Sequence, residues 1–517
     1  MTADHCESVA VSSLGKENQS ESASSATRAS HRGSIALPEH LDLYYGGSWH
    51  RPRAGVRGST TNPATGEHLA DVAVAGADDV DRAVAAAQEG FKAWRATAPA
   101  ERARAMRRAA AIIRSHGHEL AALDALDGGN PVSQMHRDAE EAASSFEFFA
   151  GLVTEMKGHS IPMGLDRLNF SVREPIGVVS RIVAFNHPFM FVGGKAAAPL
   201  AAGNAVIMKP PEQAPLSALR LAELIGGLFP AGVFNVMSGG AEAGEALASH
   251  PGIGMTTLIG SVATGRRVMA AAAQSIKPVL LELGGKNPLI AFDDADPDAV
   301  AQAVVAGMNF AWCGQSCGST SRAFIHVDIY DAVLDRIIEH VRKFKPGDPT
   351  DPTTTMGAII SKAQFERVLY YIAAGEEDGA RLLYGGQRPS DPELANGYFV
   401  EPTVFCDVEQ TMRIASEEIF GPVLCILKWS DVSEMMRQVN GVEYGLTCSI
   451  WTNDLNRAHR TAQAVEAGFV WVNETGKHFE GAPFGGVKQS GIGREECLEE
   501  LLSFTREKNI HIKMPAK

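Results

Sequence analysis

Ala205-Val-Ile-Met208, Val233-Phe-Asn-Val-Met237 and Thr256-Thr-Leu-Ile259 decide the fold. Each is a short apolar run, and residues 214–228, between the first two, have the period of a helix. Strand, helix, strand in this order predicts a parallel sheet with helices on both faces, an α/β fold. The rhythm extends back to a strand at 176–184, forward to one at 279–283, and into a second set after Pro288. Upstream, Val80, Val84, Phe91 and Trp94 share one helical face behind an N-cap at Asp78 or Asp79. A second helix opens at Pro99 and runs through Ile112 and Ile113. At the far end, residues 509–513 alternate, with Ile510 and Ile512 expected inward. A terminal strand so exposed calls for a pairing partner, for which another subunit is the candidate.

The chain has 517 residues, too many for one core, so two or three domains are expected. Its net charge of −14 argues against nucleic acid or an anionic membrane as the main partner. The charge-free stretch 299–321 carries Gln302, Asn309, Gln315 and Ser316, and reads as buried protein rather than a membrane span. Seven cysteines, odd in number and scattered, point to free thiols and a reducing, cytoplasmic setting. Residues 1–38 are rich in Ser, Ala and Glu and read as a disordered tail. Arg28 and Arg32 hint at a transit peptide, against which Asp4, Glu7, Glu17 and Glu21 weigh. No metal site is expected.

Five motifs carry chemistry. Ser238-Gly-Gly-Ala-Glu-Ala-Gly244 and Ile259-Gly260-Ser261 each follow a strand and open a helix, where small residues admit a phosphate; each also reads as a tight turn. Lys209-Pro-Pro-Glu212 follows a strand end, where doubly wound sheets gather ligands, and its Lys and Glu suit ribose hydroxyls or a solvated loop. Leu281-Glu-Leu-Gly-Gly-Lys286 ends an apolar strand on Glu282, a general base with a raised pKa or a helix cap. Cys317, in Gly314-Gln-Ser-Cys-Gly-Ser319, has a small, uncharged setting that suits a nucleophile, while Cys313 reads as core.

With Asn62-Pro-Ala-Thr-Gly-Glu67, Phe185-Asn-His-Pro188, Glu417-Glu-Ile-Phe-Gly-Pro422 and the run from Pro483 to Glu495, these motifs resemble the aldehyde dehydrogenase superfamily from about Leu41 to Lys513. The resemblance implies a Rossmann-like NAD-binding domain (39–154 and 176–284), an α/β catalytic domain (285–495), and a small β flap (155–175 and 496–517) that joins subunits into a homodimer or homotetramer. It implies Cys317 as nucleophile, Asn186 as oxyanion donor, Glu282 as the base that activates water, and Glu495 as a second acid. NAD is the implied cofactor, with Lys209, Glu212, Gly244, Gly260, Ser261, Phe185, Glu418 and Phe420 around it. Glu212 would repel a 2′-phosphate and so favours NAD over NADP. Two departures bear on cofactor contacts: Phe185 stands where Trp is common, and Val262-Ala263 follow Gly260-Ser261 in place of Thr-Glu. Glu282 favours water over coenzyme A as acyl acceptor.

By family position the substrate tunnel is lined by His187, Phe191, Gly194, Trp312, Cys313, Thr475, Lys477, His478 and Phe484. Gly194, where Trp is common, is expected to widen it. The aromatic residues suit an aromatic or medium-chain aldehyde; Lys477 and His478 suit a semialdehyde, or else face water at the rim. Betaine aldehyde, transfer to coenzyme A, and a non-catalytic NAD-binding role are the remaining alternatives.

Overall fold

Two large sheets form the body of the chain, and strand order in the first explains where a ligand crevice lies. The computed structural model describes residues 35–515, so nearly all of the expected tail lies outside the described residues. The elements belong to one unit, Leu37–Lys517.

The first sheet has eight strands, in the order Ser48–His50, Leu43–Tyr45, Phe234–Val236, Ala205–Lys209, Val178–Ile182, Met255–Ile259, Val279–Glu282, Gly491–Ile492. Its five central strands are parallel. The chain winds outward from Val178–Ile182 in one direction and then resumes on its other side at Met255–Ile259. That reversal is a topological switch point, where the carboxyl ends of strands leave a crevice. The last strand returns from far along the chain: Gly491 pairs antiparallel with Glu282 and Ile492 with Leu281. The segment expected to be wholly catalytic, 285–495, thus completes the first sheet. A Cβ on Gly491 would lie 2.1 Å from the Leu281 carbonyl oxygen, and φ there is +151°, so only glycine fits.

The second sheet has seven strands, in the order Arg381–Tyr384, Thr403–Cys406, Val423–Trp429, Arg322–His326, Pro288–Ala291, Thr447–Trp451, Phe469–Val472, all parallel but the first. It opens at Pro288, as the apolar pattern requires.

Helix Ala77–Ala96 begins earlier than expected. Gly76 is its N-cap, and Asp79 sits at the third helical position, accepting the Gly76 N–H at 3.2 Å. The expected helix 214–228 runs as Leu216–Ile225 with a 3₁₀ turn after it, because Pro215 delays its start and Asp127 caps it. The strand expected at 176–184 is confined to Val178–Ile182.

The terminal strand is Thr505–Lys513, and it pairs with Arg167–Pro175 of the same chain along its whole length. With Ser160–Ile161 these form a separate three-stranded sheet. Ile512, expected inward, is 44% exposed, because nothing among the described residues covers that face. No helix among the described residues is long and apolar enough to cross a membrane.

Candidate active site

Cys317 lies on the loop that follows helix Pro297–Gly307 and the 3₁₀ turn Phe310–Trp312. The loop is clamped by Asn287, whose side-chain amide donates to the carbonyls of Cys317 at 2.6 Å and Ser319 at 3.0 Å. The Asn287 oxygen accepts the Thr447 N–H, tying the loop to the second sheet. Backbone N–H groups of Cys317 and Gly318 act on the sulphur. Burial outweighs them and, with the charges of Glu282 and Glu418, pushes the thiol up to about 12. Cys313, four residues earlier, is 1% exposed within the core of the second sheet, and its thiol donates to the Gly357 carbonyl at 3.1 Å. This burial fits the core reading of Cys313.

Glu282 ends its strand, 5% exposed, and neither carboxylate oxygen has a hydrogen-bond partner among the described residues. Burial first, then the charge of Glu495, raise its pKa well above the usual carboxylate range, against the pull of Lys195. Glu495 itself is ion-paired with Arg181 and with Lys195, the latter at 2.9 Å. Lys195 is shared with Glu496 at 3.4 Å, and Arg181 with Glu500 at 3.2 Å. Two cations thus face four carboxylates in a buried cluster. Burial lifts Glu500 to about 7, while Lys195 and His478 overcome the burial of Glu496 and hold it near 2. Of this cluster, Arg181, Lys195, Glu496 and Glu500 were missed in the sequence, although the doublets Glu495-Glu496 and Glu499-Glu500 were a signal.

Asn186 precedes helix Pro188–Ala201. It is buried, its side-chain oxygen is unpartnered, and its carbonyl accepts from the Asn130 side-chain amide at 2.9 Å. Asp124 accepts the Phe189 N–H at 2.9 Å, and Asp138 holds the His187 ring at 2.7 Å. Three residues from one helical region therefore pin the loop bearing Asn186. Asn130, Asp124 and Asp138 were also missed; for Asp124 alone there was a signal, an acid inside the apolar stretch 120–126.

Along the crevice, Lys209 ends its strand and Glu212 follows at the start of the next loop. A Cβ on Gly240 would lie 2.8 Å from a Glu212 oxygen, and one on Gly244 would lie 3.8 Å from the Lys209 side chain. These four residues therefore come together. Burial lowers Lys209 to about 8, and its ammonium donates to the Pro210 carbonyl. Gly260 ends the next strand, and Ser261 caps helix Val262–Ala273, so its hydroxyl is engaged with Thr264. Glu418 accepts the Gly285 N–H at 2.8 Å, and Phe420 meets Phe185 edge to face at 5.6 Å.

Two aromatic groups stand in the expected tunnel region. His187 contacts Phe191 and Trp312, and His478 contacts Phe484 and Phe469. Lys477 is exposed and ion-paired with Glu474 at 3.3 Å, while His478 bonds Glu496 at 3.0 Å. Thr475 turns its hydroxyl toward Gly307, where it has no partner. A Cβ on Gly194 would rest in ordinary contact, 3.4–3.6 Å from Ser145 and Ala142 of helix Val132–Gly151.

Residues 49–510 match the model of the aldehyde dehydrogenase family. The chain belongs to that family. Aldehyde dehydrogenase tropH of Talaromyces stipitatus is 54% identical over 486 residues, 93% of this chain and 94% of the relative. Indole-3-acetaldehyde dehydrogenase AldA of P. syringae, solved with NAD+ and IAA, superposes with a TM-score of 0.91 at 36% identity, covering 95% of this chain and 99% of that one. The NAD+ complex of a Bacillus cereus aldehyde dehydrogenase gives 0.89 at 38% identity, covering 92% and 97%. The expected superfamily and α/β architecture are correct, and this aldehyde dehydrogenase is an oxidoreductase acting on aldehydes.

Proposed function

We propose that the chain oxidises an aldehyde to its carboxylic acid with NAD, through a thioester on Cys317 that Glu282-activated water hydrolyses. The observation that carries this reading is Glu282: a buried carboxylate with no hydrogen-bond partner, electrostatically coupled to the Cys317 thiol. A raised pKa suits it to take a proton near neutral pH and release it again. In the first step the Cys317 thiol gives its proton to solvent and the sulphur attacks the aldehyde carbon, giving a thiohemiacetal whose oxyanion accepts from the Asn186 amide and the Cys317 N–H. After loss of hydride, Glu282 removes a proton from water as it attacks the thioester, and the acid leaves. Glu495 pairs with Arg181 and Lys195, and the Lys195 charge lowers the pKa of Glu282. The same carboxylate argues against coenzyme A as acceptor, and the intact nucleophile and base argue against a non-catalytic role.

The chain's residues fit NAD. Glu212, beside the bare Gly240, and the Lys209 ammonium suit the adenosine ribose; Gly244, Gly260 and Ser261 border the pyrophosphate path, and Phe185, Glu418 and Phe420 the nicotinamide side. When bound, NAD accepts the hydride. The neighbours solved with NAD+ support this choice. The domain limits 39–154 with 176–284, 285–495, and 155–175 with 496–517 remain the working division, with Gly491–Ile492 reassigned to the first sheet. Exposed Ile161, Met163, Leu165, Leu168, Ile512 and Met514 on and beside the three-stranded flap support a homodimer or homotetramer. Free cysteines support a cytoplasmic setting.

For the substrate, the aromatic walls favour an aromatic aldehyde. A semialdehyde is disfavoured because Lys477 and His478 already have acidic partners, and Glu141, Glu480 and Glu496 influence one another around His478. The same acids favour a cationic aldehyde, such as betaine aldehyde, as the second reading. NADH formation across aromatic, aliphatic, semialdehyde and betaine substrates, with and without coenzyme A, tests the whole proposal. Cys317→Ala should abolish NADH formation and leave NAD binding intact; normal oxidation by that variant would overturn the assignment.

A further inference from the structure

We infer that His187, with its ring fixed by Asp138, selects aromatic aldehydes that carry a ring hydroxyl. The inference rests on the aromatic reading above and names the chemistry that the walls alone do not.

Asp138 approaches His187 Nδ1 at 2.7 Å from the facing helix, and the Asp138 side chain is almost fully buried. A carboxylate only accepts hydrogen bonds, so the proton of a neutral ring sits on Nδ1 and the lone pair on Nε2. Nε2 has no hydrogen-bond partner among the described residues, although the side chain is 16% exposed. The ring therefore presents an unused acceptor to open space.

That space has aromatic walls. The His187 ring lies 5.3 Å from Phe191 and 5.4 Å from Trp312. His187 directly follows Asn186, and Trp312 lies on the turn leading to Cys317, so the walls adjoin the reacting centre on both sides. The Trp312 indole N–H is also buried without a partner.

An acceptor among apolar rings discriminates among substrates by what they donate. A phenolic O–H satisfies Nε2, whereas a methyl ether of the same ring has no proton to give, and an unsubstituted ring leaves the nitrogen unpaired. Hydroxyl-bearing rings should therefore gain about tenfold in kcat/KM over their methyl ethers, the size of one neutral hydrogen bond.

The test uses the holoenzyme with NAD and measures kcat/KM for benzaldehyde, its 2-, 3- and 4-hydroxy derivatives, and their methyl ethers. The expected result is that at least one hydroxy isomer exceeds its ether about tenfold in the native chain. In His187→Phe, which keeps an aromatic wall, that ratio should fall to near one. In Asp138→Asn, whose amide leaves either ring nitrogen free to carry the proton, it should fall part-way. Circular dichroism checks that each variant folds, and if His187→Phe does not, Asp138→Asn decides. The inference is overturned by equal rates for hydroxy and methoxy rings in the native chain, or by a ratio that survives whichever folded variant decides. Oxidation of aliphatic but no ring-bearing aldehydes would overturn the aromatic reading itself, and this selection with it.

Discussion

The Asn130 side-chain amide donates to the backbone carbonyl of Asn186 at 2.9 Å, so the residue proposed to offer its own amide to the reacting carbonyl is held from behind. Asn130 lies in the short link between helices Gly117–Gly128 and Val132–Gly151, and the preceding residue, Gly129, accepts the Ala358 N–H through its carbonyl. Asn130→Ala should free the Asn186 backbone and lower kcat about tenfold, while KM for NAD stays within twofold. Steady-state kinetics with NAD varied at saturating aldehyde checks it, and equal falls in both parameters would speak for general loosening.

Glu282→Gln keeps the shape of the base and removes its proton affinity. Cysteine attack and hydride loss should proceed once, leaving the acyl group on Cys317. Rapid mixing should show a burst of NADH near one per site, followed by a steady rate lower by about 10²–10⁴. A variant that lost the burst as well would show that Glu282 acts before the thioester.

Glu496 offers a pH experiment whose sign follows from charge. Glu282 works as a base only when ionised, and the negative charge of Glu496 raises its pKa. Glu496→Gln removes that charge, so the acid limb of the kcat profile should move to lower pH. Its own carboxyl is held near 2, below the unfolded value of about 4.3, so it stabilises the fold above that value and the contribution is lost as pH falls toward 2. Acid unfolding of the variant should accordingly lack part of the native pH dependence between those limits.

Glu212 separates the two nicotinamide cofactors. Native kcat/KM should favour NAD over NADP, and Glu212→Ser should narrow the gap by about tenfold or more by relieving repulsion of the 2′-phosphate. Equal use of both cofactors by the native chain would refute the argument.

Most of the fold was legible because apolar runs ending in small residues have few readings in a chain of this length. Cys317 and Glu282 stood out for the same reason, each a reactive group in a setting that does not otherwise need it. Asn130, Asn287 and Asp138 were not legible: their partners are backbone groups or rings at distances along the chain that no local pattern encodes. The terminal strand was read from its alternation, but its partner in 155–175 came only with the family resemblance, since pairing over such a separation leaves no periodic trace.

The return of Gly491–Ile492 to the edge of the first sheet bears on how the protein is made. Ser490 bonds to the carbonyl of Gly284 across 206 positions, and Glu282 takes its place beside strand residues made long after it. An unfinished chain can shape the nucleotide crevice early, since its central strands are local in sequence. The carboxylate proposed to activate water has no finished surroundings until Gly491–Ile492 are made, so chains that stop before them should bind cofactor without turning over.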